Sequence, residues 1–191
     1  KACRLSRVRR TSFKRGNSIY KSITEPAALI VADWHPFSNC PSRNGYFGVW
    51  NFTDVASRKP FSYCAQSKSC FLDCIKKFKR EELDPTNKRW LAFHSDSDSA
   101  ALSNESTKWM LDNGIRQTSS PTDTPEMNSI AEFTNRELYQ MTLAMLIQSN
   151  MPITFWEDAY QVASMIKGYI AVKNSTGFAT QMKYGTISCP T

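Results

Sequence analysis

Ala28-Leu29-Ile30-Val31-Ala32-Asp33 is an unbroken apolar run closed by a carboxylate. A run this short, without polar alternation, predicts a strand over 27–33 that is buried on both faces. Trp90-Leu91-Ala92-Phe93 is a second such run, and after His94 and Ser95 it also reaches an acid, Asp96. Glu132 follows Asp96 after a gap of 35 residues and lies early in a segment with helical spacing. Two carboxylates at strand ends and a third on a helix can converge on one pair of divalent cations. That is the apparatus of phosphoryl transfer, in which one metal activates the attacking oxygen and the other stabilises the leaving oxygen. Three acids without His or Cys suit Mg²⁺ (or Mn²⁺) better than zinc, because these ions prefer hard oxygen donors. Paired metals of this kind lie roughly 3.5–4 Å apart, so the strands that end at Asp33 and Asp96 are required to be neighbours.

Around these acids the chain punctuates itself. A Pro/Ser/Asn-rich loop over 34–44 leads to an aromatic alternating strand over 45–53, with 61–65 as its hairpin partner. Phe71, Ile75 and Phe78 then recur at helical spacing among Lys76, Lys77, Lys79 and Arg80. That pattern predicts an amphipathic helix over 69–82, ended by Asp84-Pro85. After the strand over 90–93, Ser103 is an N-cap candidate for a helix over 104–113 that stops at Gly114. A short strand follows over 115–118, then a loop over 119–129, then a long helix from about 126 to about 149 broken by Met151-Pro152. Thr154 and Glu157 have the spacing of a capping box, and Trp156, Ala159, Ala163, Ile166 and Ile170 stripe one face of the final helix. The predicted order is β-β-β-α-β-α-β-α-α, an α/β domain.

The length of 191 residues fits one domain, and 41% hydrophobic residues are enough for an ordinary buried core. The apolar runs are far too short to cross a bilayer, and no signal-peptide pattern opens the chain. The first residue is not Met, which points to a fragment or a processed product. The charge is lopsided: residues 1–24 hold eight of the 24 bases and no acid, so 16 bases face 17 acids in the rest of the chain. The formal +7 therefore belongs to a basic arm over 1–26, in which Arg7, Arg9, Arg10, Lys14 and Arg15 are candidate phosphate-backbone contacts. Such an arm supplies affinity without sequence choice and weakens steeply with salt. The six Cys, at 3, 40, 64, 70, 74 and 189, form no CxxC pair. They are expected to be reduced structural thiols in a reducing compartment, nuclear or otherwise intracellular.

Read together, the motifs resemble those of the copia-type retrotransposon integrase catalytic core, within the retroviral integrase and ribonuclease-H-like superfamily. The resemblance runs from about residue 2 to 185. Ala32-Asp33-Trp34-His35-Pro36 is similar to the first-Asp motif, and GYFGVWNFTDVASRKPFSY (45–63) to the hairpin that follows it, including the Asp54…Ser57-Arg58 turn. Phe93-His94-Ser95-Asp96 is similar to the second-Asp motif, with Asn113-Gly114-Ile115 at the family spacing. TPEMNSIAEFTNR (124–136) resembles the third motif and sets Asn128, Glu132 and Arg136 on matched positions. Phe155-Trp156-Glu157-Asp158-Ala159 and TGFATQMKYG (176–185) resemble the closing helix and its tail.

The resemblance implies a ribonuclease-H-like mixed five-stranded sheet flanked by helices. It implies an arm over 1–26 as the remnant after a zinc-binding module, an integrase-like core over 27–173 and a tail over 174–191. Cys3 would be the last ligand of that module, so no zinc is expected in this stretch. Asp33, Asp96 and Glu132 would hold two Mg²⁺ ions, with Asn128 and Arg136 near the nucleic acid. The implied reaction is DNA 3′-end processing followed by strand transfer, without a covalent enzyme intermediate. A ribonuclease-H-type nuclease is a weaker option, because the motifs at Asn128 and Trp156 point away from it.

Four departures stand beside the retained acids. Ser97-Asp98-Ser99-Ala100 replaces a glycine-rich turn, and His35-Pro36 stands where a Gly-Pro one residue later is usual. Ser129 stands for Gly, and Phe133 for Arg. A second reading therefore stays open: a domesticated, non-catalytic module that binds DNA or RNA, or serves as a subunit of a larger ribonucleoprotein assembly or a homo-oligomer.

Overall fold

The apolar run at 28–32 becomes the central strand of a five-stranded mixed sheet ordered β3-β2-β1-β4-β5. The computed structural model describes residues 23–37, 39–96, 100–119, 125–170, 172–174 and 177–179. Strand β1 (Leu29–Pro36) pairs antiparallel with β2 (Gly48–Asp54), which pairs antiparallel with β3 (Pro60–Ala65). On its other side β1 runs parallel to β4 (Ala92–Ser95), and β4 parallel to β5 (Arg116–Ser119). The helices α1 (Phe71–Phe78), α2 (Asn104–Asp112), α3 (Pro125–Ser149) and α4 (Trp156–Tyr169) follow in the order read from the sequence. A small hairpin, β6 (Val172–Asn174) and β7 (Gly177–Ala179), occupies the point where a tail was expected to begin.

Strand β1 does not stop at Asp33. Trp34, His35 and Pro36 stay in the ladder opposite Trp50, Val49 and Gly48, so pairing carries the strand into the predicted loop. Gly48 permits this, because a Cβ there would sit 2.2 Å from the Trp34 ring. At the far end of β2, Asp54 is fully buried. Its carboxylate accepts the Ala27 N–H at 3.1 Å and the Ser57 N–H at 3.0 Å, which fixes the β2–β3 turn.

The two faces of the sheet bury different chemistry. On one face Ile30, Ala32, Trp50, Phe52 and Phe93 pack with Phe71, Ile75 and Phe78 of α1 and Met110 of α2. The helical spacing of 71, 75 and 78 is therefore a core stripe, as read. The helix continues through a π turn (Lys79–Leu83) and a 3-10 turn (Asp84–Thr86), and ends at Asn87 with φ 52°. On the other face α3 and α4 cover Val49 with Leu138, Leu146, Trp156, Tyr160 and Ala163, and Leu29 and Val31 pack with Ala131. Phe37 stacks on Trp156 with ring centroids 4.0 Å apart.

Helix ends were partly legible. Ser103 caps α2 by accepting the Ser106 N–H at 3.2 Å, and Gly114 follows with φ 69°. The Thr154–Glu157 capping box does not form. Thr154 lies in a 3-10 turn (Ile153–Phe155) ahead of α4, and the Glu157 carboxylate instead accepts Ser42 Oγ at 2.9 Å and Asn44 Nδ2 at 3.0 Å. Long-range partners have outcompeted the local cap. The predicted α4 stripe also fails in its second half: Ile166 and Ile170 are exposed, and Tyr160, Ser164 and Gly168 face inward. Packing across β3 turns that face inward and leaves Val162, Met165, Ile166, Tyr169 and Ile170 as an outward apolar ridge.

Cys40, Cys64, Cys70 and Cys74 are free thiols; burial pushes the Cys64 and Cys74 thiols up to about 12. Cys3 and Cys189 lie outside the described residues. Among the described residues no helix is long and apolar enough to cross a membrane.

Candidate active site

Parallel pairing of β1 and β4 sets Val31 opposite His94. Two residues farther on stand Asp33, within β1, and Asp96, the residue after β4, so the register brings both acids to the same level of the sheet on neighbouring strands. Alternation along a strand puts Leu29, Val31 and Asp33 on one face, and that is the face α3 covers. Glu132 lies on α3, and Asn135, one turn later, donates from Nδ2 to Asp33 Oδ2 at 2.8 Å. Residues three apart share a helix face, so the turn that carries Glu132 is held against Asp33.

The electrostatics record the gathering. The Asp33 carboxyl is raised to about 6, first by burial and next by the negative charge of Asp96. The Trp34 N–H, at 2.9 Å from Oδ1, and Asn135 oppose that rise, and the charge of Glu132 adds to it. Asp33 thus feels both other acids. Among the described residues no base forms an ion pair with any of the three. Nor is any group of three His, Cys, Asp or Glu side chains there gathered tightly enough to hold a metal ion. The acids share a field without forming a closed cage, and Glu132 is exposed. Carboxylates are the donor type a hard divalent cation takes, and Asp33 carries a repulsion from the other two acids that such a cation would relieve.

The two His beside the acids are structural. His94 is buried, with Nδ1 3.0 Å from Thr118 Oγ1. His35 packs against Phe37 and Tyr139, and burial lowers its pKa. Arg136 is exposed, its guanidinium 5.3 Å from the Phe133 ring centre. Asn128 lies in the first turns of α3, which begins at Pro125 and so shortens the expected 119–129 loop; its side chain is outside the described set. Arg7, Arg9, Arg10, Lys14 and Arg15 also lie outside the described residues, as does Ser97-Asp98-Ser99. A groove of about 910 Å³ runs between α1, β3 and α4, but none of the three acids lines it.

Three polar residues near Asp33 escaped sequence reading: Asn135, Asn51 and Tyr160. The spacing of Asn135 from Glu132 was a usable signal. Nothing in the sequence joins Asn51 to Tyr160.

The architecture is that of the retroviral integrase catalytic core, of ribonuclease-H-like type. The chain superposes on the simian T-cell lymphotropic virus intasome in complex with a PP2A regulatory subunit with a TM-score of 0.66 at 16% identity, covering 96% of this chain and 62% of that one. It superposes on the HTLV-2 integrase catalytic core domain in complex with magnesium with a TM-score of 0.61 at 18% identity, covering 84% and 97% of the two chains. The BIV integrase catalytic core gives 0.59 at 15% identity, covering 83% and 93%.

In sequence the chain is a relative of retrotransposon Pol polyproteins. It is 26% identical over 161 residues to the retrovirus-related Pol polyprotein from transposon TNT 1-94 of Nicotiana tabacum, which is 84% of this chain and 12% of that protein. It is 27% identical over 141 residues to the corresponding polyprotein from transposon RE1 of Arabidopsis thaliana, 73% of this chain and 9% of that protein. The chain thus spans a small part of each curated relative. No family model matches it.

Proposed function

We propose that this chain is the catalytic core of an integrase-type polynucleotidyl transferase, acting on DNA 3′ ends with Asp33, Asp96 and Glu132 as the ligands of Mg²⁺ or Mn²⁺. The observation that carries the proposal is geometric: the β1–β4 register sets Asp33 and Asp96 on adjacent strands, and Asn135, one turn after Glu132 on α3, is bonded to Asp33. When bound, a pair of divalent ions supplies an activated oxygen nucleophile and charge neutralisation at the departing oxygen. The chain's own residues do the rest. Asp33 is held at both oxygens, by the Trp34 N–H and by Asn135, so it enters the reaction oriented. Asp96 follows directly on β4, which pairs with β1. Glu132 rides on α3, which presents Arg136 to solvent one turn later as a candidate phosphate contact. No nucleophilic side chain is required, because water and then the DNA 3′-hydroxyl attack phosphorus directly.

The basic arm over 1–26 supplies the salt-sensitive affinity for the DNA backbone. The HTLV-2 core is known in a dimeric and in a trimeric form, and the outward ridge of α4 is an apolar surface this chain offers to a homo-oligomer or a larger assembly.

The proposal is tested by Mg²⁺-dependent joining of short duplex DNA ends. Wild type is expected to join them and Asp96→Asn to lose at least two orders of magnitude. Equal product from both removes the enzyme. The alternative, a non-catalytic nucleic-acid-binding module, draws on the open arrangement of the acids. It predicts salt-sensitive binding of DNA or RNA with no joining by either protein.

A further inference from the structure

Behind Asp33 the chain buries a branched row of hydrogen-bonded polar side chains. Asn135 donates to Asp33 Oδ2 at 2.8 Å. Asn51 Nδ2 donates to Asn135 Oδ1 and, at 2.7 Å, to the Tyr160 hydroxyl. The Ser62 hydroxyl donates to Asn51 Oδ1 at 2.5 Å and is joined to Ser164 Oγ at 2.9 Å. Asn51 and Tyr160 are fully buried and Asn135 is 4% exposed. The row crosses β3, β2 and β1 and ties both α3 and α4 to the sheet.

Its direction is set from the carboxylate end. An ionised carboxylate only accepts, so Asn135 must turn its NH₂ toward Asp33 and its carbonyl toward Asn51. Asn51 must then turn its own NH₂ toward Asn135, and the second N–H of that group needs an acceptor, which Tyr160 Oη supplies. With its carbonyl on Ser62, every donor of Asn51 is used. A half-satisfied network at this depth would be worse than an apolar core, and apolar side chains would have filled the same space. The row makes sense for what it does at its end.

We infer that Asn135, Asn51 and Tyr160 are positioning residues for Asp33: Asn51 and Tyr160 lock the orientation of the Asn135 amide, and that amide locks the carboxylate. The inference rests on the proposed metal role of Asp33. Groups that orient a ligand from behind typically change metal affinity about 10–100-fold when removed. Tyr160→Phe is the sharpest probe, because it deletes one acceptor, keeps the ring and touches neither Asp33 nor any ligand.

The experiment titrates Mn²⁺ into wild type, Asn135→Leu, Tyr160→Phe and the packing control Leu138→Ala, and records thermal unfolding of each. Asn135→Leu is expected to weaken Mn²⁺ binding about 10–100-fold, and Tyr160→Phe to weaken it less but in the same direction. Leu138→Ala is expected to lose stability while keeping its affinity. Affinity in Tyr160→Phe and Asn135→Leu that matches wild type overturns the inference and leaves the proposed function standing. A wild type that takes up no Mn²⁺ removes the proposed function and the positioning role together. A second readout needs no metal: the side-chain amide protons of Asn135, followed by NMR, are expected to be shifted and faster to exchange in Tyr160→Phe. An unchanged amide there overturns the locking arrangement itself.

Discussion

The two faces of one sheet divide the work of this molecule, and β2 is where the division can be seen. All seven of its residues are buried. Trp50 and Phe52 point into a dry aromatic core, where Phe71 lies 4.9 Å from Trp50 and 5.5 Å from Phe93, and Phe52 stacks on Phe78 at 5.0 Å. Asn51 and Thr53 point the other way, where Asn51 meets Asn135 of α3 and Tyr160 of α4. There Thr53 Oγ1 is left without a hydrogen-bond partner among the described residues. A face built for stability fills its space with rings. The face that carries Asp33 holds polar groups beside its apolar ones, and one hydroxyl without a partner among the described residues. The comparison teaches that one face is held by apolar area alone, while the face that carries Asp33 adds directional bonds to its apolar packing.

The largest effect on stability should therefore come from the aromatic face. Phe71→Ala is expected to cost about 3–5 kcal/mol, read from urea unfolding. Next comes the polar face. Asn135→Ala strands the Asn51 donor and is expected to cost about 1–3 kcal/mol, with a loss of joining activity out of proportion to that change. An activity loss no larger than the fraction unfolded would erase the contrast between the faces.

The third prediction concerns pH. The Asp33 carboxyl is raised in the folded state to about 6. The folded chain therefore holds this proton more tightly than the unfolded chain does. Stability contributed by this group is full below the unfolded value of 3.8 and is lost as pH rises through about 6. At pH 7 without metal, Asp33→Asn should raise the thermal midpoint, and added Mg²⁺ should raise that of wild type. Both gains should vanish near pH 4, as thermal melts at the two pH values would reveal. The smallest effect is expected at the exposed Arg43–Asp158 ion pair, 3.0 Å long. Arg43→Ala there should change stability by no more than about 1 kcal/mol.

Much of this was legible in the residues. The strands that carry Asp33 and lead to Asp96, the core stripe of Phe71, Ile75 and Phe78, and the Ser103 cap are local patterns, and local patterns survive folding when packing agrees with them; only the end of the first strand was misplaced, because pairing with β2 carries it on to Pro36. The capping box at Thr154 and the outer half of the α4 stripe did not survive, because Ser42, Asn44 and β3 act on those residues from more than 90 positions away. The row from Ser164 to Asp33 was illegible for the same reason. Asn51 meets Asn135 and Tyr160 at separations of 84 and 109 residues, and a lone buried Asn carries no periodic signal. The acids, by contrast, could be read because each marks the end of an apolar run or a fixed gap.

The most direct test of the account follows the Asp33 carboxyl itself by ¹³C NMR as pH is raised, in wild type, Asp96→Asn and Glu132→Gln, without metal. A midpoint near 6 in wild type that falls in both variants, more in Asp96→Asn, is the predicted result. A midpoint that neither substitution moves would mean that the three acids do not share one site.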